Sequence, residues 1–578
     1  MVKNIHNNPT YVIANLSTNH EGNVEIACEM IEKACKCGAD FIYMELDEST
    51  STFSNSDFIH FHKIAQDNGA TFSTKSFVGS IRHILPIKRF KKTDDGSDDN
   101  DVYQEITENC WKPRGSTNKN SDGIDLVEKI QEKYPKHQLQ FWDFQEKITC
   151  LPEIVVAIGI KAISCKFTLD DKQSGFDHLM SINARDFKTM VANMKTVEAA
   201  LGTGKKDSLS TSEWPCFKKL FKSIVAAHDL ERGTILKAED LKIKVSATQS
   251  MSGFYFPIVI GRELLSEVDE DDPIFVSDFD GLKHYSQYMS FSNYATKNIA
   301  IQSGDNIELN LGRRLDFKSP CYIIAEIGQN HQGDIMMAKK LIKLAKKCGA
   351  DCVKFQKTCI NEKFTALALY QPYVSKNSFG ATYGEHKQFL EFSDEQFREL
   401  KKYAVKKVGI HFTSSAMDLA SLDFLLSLKV PFIKIGSGES GNVQLLEKAA
   451  KANIPLVIST GMQTLDDIHI TYQVVNRYHN KFALLHCVSA YPTPPEEANI
   501  NMIKTLRKCF PNIFIGYSGH EIGSCITTAS VALGAKIIER HITLDRNMKG
   551  SDHICSLDPS QFSKLVRDIR YIEENLDL

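Results

Sequence analysis

His520 sits in the segment GYSGHE and His541 in ERHITLD, each at the end of a short apolar run of β type. Two neutral imidazoles at the ends of successive strands can offer ring nitrogens to one divalent cation. Glu521, Glu539 and Asp552 lie near them in sequence and could orient the rings or bind substrate hydroxyls. Upstream, Lys354 and Lys434 occupy similar strand-end positions, with hydroxyls at Ser415, Ser437, Ser459 and Ser518. Two ammonium groups among several hydroxyls can neutralise and hydrogen-bond a small anion carrying phosphate and carboxylate. Glu326, Gln356, Glu439 and Tyr491 complete the set. Singly, each has a plainer reading: a strand-end serine starts a loop, and a strand lysine snorkels to solvent.

The elements that must position these groups are eight β-type runs: YIIAEIG, CVKFQK, IHFTSS, FIKIGSGE, LVISTGM, ALLHCVSAYP, IFIGYSGHE and KIIERHITL. Between them lie segments such as IMMAKKLIKLAKKCGA, with apolar residues three and four apart. Eight strand–helix units in the 257 residues from Tyr322 to Leu578 predict an α/β fold, a (β/α)8 barrel over residues 320–578. The strand ends of such a barrel converge on one face, which gathers the polar residues above into one cup. An open doubly wound sheet is the second reading. It lacks a glycine-rich dinucleotide fingerprint after any strand.

The chain carries much of this pattern twice. YVIANLSTNHEGN from Tyr11 aligns with YIIAEIGQNHQGD from Tyr322 at an offset of 311, TFSTKSF with HFTSSAM at 340, and KAISCKFTLDDKQSGFDH with KIIERHITLDRNMKGSDH at 375. Each rise in offset marks residues missing from the first copy, so residues 1–200 read as a shortened duplicate barrel. The first copy has Asn15 for Glu326, Tyr43 for Lys354, Lys75 for Ser415, Gln145 for His520 and Lys166 for His541. A protonated lysine repels a cation, so this copy is expected to be inactive. Only Asp177 and His178 persist, matching Asp552 and His553.

Residues 93–124 are acidic and turn-rich and are expected to be disordered. Residues 201–213 read as a linker, 214–280 as a compact β-rich module, and 281–320 as a second connector. The 578 residues carry a net charge of −3, which gives no reason to expect nucleic acid or an acidic membrane surface as partner. No run of 18 apolar residues predicts a membrane span, and the N-terminal residues show no signal-peptide core. The 15 cysteines follow no disulfide framework and read as reduced thiols of a cytoplasmic protein.

IIAEIGQNHQGD, CVKFQK, KIGSGE, STGMQ, YPTPPE, GYSGHE and ERHITLD followed by KGSDH resemble the sialic acid synthase family over nearly all of residues 320–578. IVAAHDLERGTIL and GRELL resemble the antifreeze-like (SAF) domain that accompanies these barrels, and ATYGEHKQFLEFS is similar to the animal-type members. The resemblance implies condensation of phosphoenolpyruvate with N-acetylmannosamine 6-phosphate to give N-acetylneuraminate 9-phosphate. Alternatives are free N-acetylmannosamine, mannose 6-phosphate or a related sugar as acceptor, or a non-catalytic regulatory relative.

Further roles come from the same resemblance. It implies Mn2+ or Mg2+ on His520 and His541. Phosphoenolpyruvate would lie on Lys354, Ser415, Lys434, Ser437, Ser459, Ser489 and Ser518, and the amino sugar among Glu326, Gln356, Glu439, Tyr491 and Asp552. Glu326 and Glu439 are the acid–base candidates. Lys357 and Lys549 are candidate partners for a sugar phosphate. Ser489 stands where bacterial members have Asn. The resemblance also implies a homodimer with the module over a barrel mouth. Two departures stand out. The module precedes the intact barrel instead of following it, and Val245 occupies the position of an arginine that reaches the site in bacterial members.

Overall fold

The structure, a computed structural model, describes residues 10–44, 52–74, 142–144, 151–285 and 307–575. Lys75, Gln145 and the acidic segment 93–124 lie outside these residues. The chain divides into two compact units, residues 1–199 with 574–577, and residues 200–573 with 578.

In the first unit, β1 (Tyr11–Asn15), β2 (Phe41–Tyr43), β3 (Thr71–Ser73), β4 (Trp142–Phe144) and β5 (Ala162–Thr168) form a parallel sheet in the order β3-β2-β1-β5-β4, and β6 (Ile182–Asn183) pairs with β5. The first strand thus lies between the second and the last long one, as happens when a barrel closes. Hydrogen bonds within this unit recur within the C-terminal barrel at the sequence offsets. His20 Nδ1 accepts from Gly22 N–H as His331 does from Gly333. Asn19 donates to Phe167 O and Ser181 Oγ, as Asn330 does to Ile542 O and Ser556 Oγ. Thr168 Oγ1 meets His178 Nδ1 at 2.7 Å, and Thr543 meets His553 at the same distance. At the position matching His541, by contrast, Lys166 forms an ion pair of 2.6 Å with Asp177.

In the second unit, β7 (Ser223–Ala226) and β8 (Leu241–Lys244) form an antiparallel ribbon over a core that includes Ile224, Leu236, Leu241, Val259 and Leu264. The module is β-rich, but single bridges and short turns make up most of it. The preceding segment is not a free linker. Leu201 O accepts from Asn501 N, Gly204 N donates to Asn499, and Lys206 is buried against the carbonyls of Thr460 and Cys487.

Part of the second connector also has a structural task. The hairpin β9 (Leu309–Asn310)–β10 (Arg314–Leu315) presents Leu309, Leu311 and Leu315 to Tyr322, Ile324, Phe432 and Phe514. That seals the end of the barrel where its strands begin.

The barrel closes through eight parallel strands: β11 (Tyr322–Gly328), β12 (Cys352–Lys357), β13 (His411–Ala416), β14 (Ile433–Ile435), β15 (Leu456–Ser459), β16 (Phe482–Cys487), β17 (Phe514–Gly519) and β18 (Ile537–His541). All seven residues of β11 are buried, as continuous apolar runs covered by helices should be. The helices follow their local signals: helix Ile335–Lys347 is capped by Asp334 and ends on Lys346 and Lys347. No helix among the described residues is long and apolar enough to cross a membrane.

Candidate functional site

Alternation along each strand decides what enters the cup. Lys354 and Gln356, two apart on β12, both point inward. Lys357 points the other way and pairs with Glu391 at 3.1 Å and Asp394 at 3.2 Å, so it is not available to a ligand in the cup. Closure places Glu326 beside Lys354 on one side and beside His541 on the other. Gly328, at φ +52°, lets β11 end beside them. A Cβ there would lie 2.9 Å from Glu326 Oε1 and 3.4 Å from His541 Cε1.

The floor of the cup is a buried ionic network. Lys354 Nζ lies 2.7 Å from Glu326 Oε2 and 3.6 Å from Glu539, and donates to Ser415 Oγ at 3.1 Å. Lys434 donates to Ser459 Oγ at 2.6 Å and faces Glu539 at 4.0 Å. Ser518 donates to Glu539 at 3.2 Å, and Gln356 to Glu326 at 2.9 Å. Burial pushes the Glu326 carboxyl up to about 7, against the pull of Lys354. The network keeps both lysine side chains oriented at the buried floor of the cup.

A second cluster forms around Glu439, 3.0 Å from Lys363 and 3.4 Å from Lys222 of the module. Burial disfavours its charge, but the two lysines outweigh that and hold it below the usual carboxylate range. Between the clusters, Gly461 N–H donates to Ser437 Oγ, and Ser489 Oγ is buried without a partner. Glu213, fully buried, accepts from the N–H groups of Met462 and Ser489 at 2.8 and 3.1 Å. It fixes the loops after β15 and β16. Neither Glu213 nor Lys222 was among the expected site residues. Positions so far upstream of the barrel carry no strand-end signal, although a Lys–Glu spacing in a polar segment could have suggested a strap.

The two histidines face each other across the last two strand ends. Their ring centroids are 5.5 Å apart, and Tyr491, 40% exposed at the rim, covers His520 at 4.2 Å. His520 Nδ1 lies 3.1 Å from Val488 O, and the tautomer with its proton on Nδ1 leaves the Nε2 lone pair for a ligand. Burial favours that neutral ring, but Cys487 beside it outweighs burial and raises its basicity. Burial pushes His541 down to about 3, so its ring is neutral, and its Nδ1 is buried with no hydrogen-bond partner. Asp552 approaches that nitrogen at 3.9 Å. Among the described residues no group of three or more His, Cys, Asp or Glu forms a complete metal cage. Two nitrogens fit an exchangeable divalent cation whose other positions remain open to oxygen ligands. Glu521 does not orient the rings. It is committed to Arg540 at 2.7 Å, with Tyr517 and Thr527 also donating to it.

The module meets the barrel through Val245. Its N–H donates to Lys363 O, and its carbonyl accepts from Thr365 N–H. The position thus supplies backbone to the rim, while Lys222 supplies the charge.

A sequence model of the NeuB family matches residues 120–206 and 341–577, and one of the SAF domain matches residues 221–280. N-acetylneuraminate-9-phosphate synthase of Mus musculus is 54% identical over 270 residues, covering 47% of this chain and 75% of that protein. The enzyme of the same name from Drosophila melanogaster is 53% identical over 249 residues, 43% of this chain and 67% of that protein. Among solved structures, an N-acetylneuraminic acid synthetase from Leptospira borgpetersenii, crystallised with citrate, is 32% identical. It covers 46% of this chain and 89% of that one, with a TM-score of 0.41. The chain belongs to the NeuB family.

Proposed function

We propose that the C-terminal barrel condenses phosphoenolpyruvate with N-acetylmannosamine 6-phosphate to give N-acetylneuraminate 9-phosphate and phosphate. One observation carries the reading. Ser489 Oγ, Glu539 Oε2 and His541 Nδ1 are buried with no hydrogen-bond partner, and all three line this one cup beside the ion-paired Lys222, Glu326 and Glu439. Buried polar groups are rarely left unsatisfied, so such a concentration suits a site shaped for a polar ligand. The names of the mouse and fly relatives support the choice of product.

In this reading Lys354, Lys434 and the hydroxyls of Ser415, Ser437, Ser459, Ser489 and Ser518 hold phosphoenolpyruvate. Glu326, Gln356, Glu439, Tyr491 and Asp552 surround the open-chain amino sugar. His520 and His541 would hold a divalent cation such as Mn2+ or Mg2+, which would supply Lewis-acid polarisation of the sugar aldehyde. The C3 carbon of phosphoenolpyruvate bonds to the aldehyde carbon, whose oxygen takes up a proton. Water adds at C2 and gives up its proton, and phosphate leaves with C–O cleavage. Glu326, on β11, and Glu439, in the loop after β14, are the groups able to move those protons. The lysines neutralise the departing phosphate.

The first unit contributes no catalytic group in this proposal, being a decayed copy of the barrel. The protein is cytoplasmic and acts as a homodimer, with the module covering the mouth. Sedimentation that finds a fully active monomer overturns the dimer. The central test is a phosphate-release assay with phosphoenolpyruvate and a panel of N-acetylmannosamine 6-phosphate, N-acetylmannosamine and mannose 6-phosphate. The highest kcat/KM is expected with the first. Equal or better kcat/KM with the free sugar refutes the acceptor assignment, and no release with any sugar refutes the enzyme.

A further inference from the structure

At the rim of the cup, the loop after β12 folds into a box of aromatic rings around His386. Tyr373 lies 4.7 Å from the imidazole and Phe379 5.9 Å. Three lysines from distant parts of the sequence approach this box. Lys219, on the helix that leads into the module, stands 4.9 and 5.1 Å above the rings of Tyr373 and Tyr383, with Nζ 3.4 Å from the Tyr373 hydroxyl. Lys387 lies 5.5 Å from the Tyr383 ring and donates to Gln329 at 3.3 Å. Lys549, beyond β18, lies 4.6 Å from the Phe379 ring. Among the described residues none of the three forms an ion pair with a carboxylate, whereas Lys222 and Lys363 deeper in the cup share Glu439.

We propose that Lys219, Lys387 and Lys549, gathered around His386, form the subsite for a phosphate monoester carried by the sugar acceptor. The inference rests on the acceptor reading above and assigns the residues that read the phosphate. The rim lysines outnumber the nearby Asp552 carboxylate, and a phosphate monoester, with about −1.5 to −2 charge at neutral pH, would favour the charged form of the crowded Lys387. The crowding is visible electrostatically. Burial, then Lys363 and Lys219, push the Lys387 ammonium down to about 7. Burial and all three rim lysines push His386 to about 4, so its ring is neutral. Phe379 N–H donates to His386 Nδ1 at 3.2 Å, so the proton sits on Nε2 as a further donor. Asp552 links the box to the reaction centre, since it lies 3.9 Å from His541. Because Lys219 comes from the module's leading helix, the subsite is complete only when that helix is seated.

The plainer alternative is that these lysines merely pack on aromatic faces or draw phosphoenolpyruvate toward the cup. The test is steady-state kinetics of the full-length chain, wild type against Lys219→Met, Lys387→Met and Lys387→Arg. N-acetylmannosamine and its 6-phosphate serve as acceptors. Each Met variant is expected to lower the ratio of kcat/KM for phosphorylated over free acceptor by about 10- to 100-fold, the range of a lost charged hydrogen bond. The loss should appear in the acceptor KM, and Lys387→Arg should restore most of it. An unchanged ratio in folded variants overturns the subsite, as does a parallel rise in the KM for phosphoenolpyruvate. A wild type that prefers the free sugar refutes the acceptor reading and the subsite together, so the two failures are distinguishable.

Discussion

Arg540 sits between Glu539 and His541 with its side chain fully buried, and Glu521 directly follows His520. Their ion pair therefore ties together the two strand ends that present the imidazoles. Arg540 donates five hydrogen bonds: to Glu521 Oε1, Gly523 O and Thr527 Oγ1 at 2.7, 2.8 and 2.7 Å, and to Glu521 O and Cys555 O at 2.6 and 3.3 Å. Arg540→Met keeps most of the packing volume but strands the Glu521 carboxylate beside two hydroxyls. Breaking a buried pair in this way costs roughly 3–5 kcal/mol. At about 1.3–1.9 °C for each kcal/mol in a unit of this size, the melting temperature should fall by ~4–9 °C. Turnover at limiting Mn2+ should fall as well, because the tie between the two strand ends that present the imidazoles is lost. The double variant Arg540→Met/Glu521→Gln removes the unpaired charge, so it should recover at least about 2 kcal/mol relative to the sum of the single changes. Thermal and urea melts of the full chain, with activity titrated against Mn2+, measure all three quantities. A single variant within about 1 kcal/mol of wild type, with no coupling in the double variant, refutes the reasoning.

Removing divalent cations with a chelator should abolish turnover and Mn2+ should restore it, whereas His541→Ala should stay inactive with an unchanged near-ultraviolet spectrum; full activity of either in metal-free buffer contradicts the site. Gly461→Ala would place a methyl on Ser489 Oγ and 2.7 Å from Ser437 Oγ, so the KM for phosphoenolpyruvate should rise by about 10-fold or more, the scale of one lost charged hydrogen bond, with a smaller effect on the acceptor. A chain beginning at residue 200, which keeps the buried strap around Lys206, should turn over at close to the full-length kcat; a folded truncation slower by orders of magnitude would assign a catalytic contribution to the first unit. Burial opposes the charge of Asp177, but hydrogen bonds from Lys166, Thr18 and Ser17 outweigh it and hold this carboxyl well below its usual range. Its contribution to stability is therefore present above the unfolded value near pH 4 and lost as the pH falls further, so the difference between wild type and Asp177→Asn in urea melts should shrink toward acid.

The sequence by itself determined the barrel, its eight strands and the inward set Glu326, Lys354, Gln356, Lys434, Glu539 and His541. The reason is local: a strand buried on both faces reads as an apolar run, its side chains alternate, and closure brings every strand end to the same mouth. The sequence offers Lys357 as a sugar-phosphate candidate, and the structure turns it away, one residue past the inward Gln356 and paired with Glu391 and Asp394. The repeated sequence pattern is accompanied by repeated hydrogen bonds, such as Thr168 to His178 and Thr543 to His553, because the same bonds need the same residues at the same spacing. Only the tertiary structure decided the rest. Glu521 looked like a partner for the imidazoles, but the fold brings Arg540 from the neighbouring strand within 2.7 Å and claims it. Glu213 and Lys222, more than two hundred residues before the groups they meet, reach Ser489 and Glu439 because the strap is buried across the strand ends. Lys219, Lys387 and Lys549 have no common pattern in sequence. They converge because loops and the module's leading helix follow paths set by packing between elements, and no periodicity within one segment encodes the distance to another.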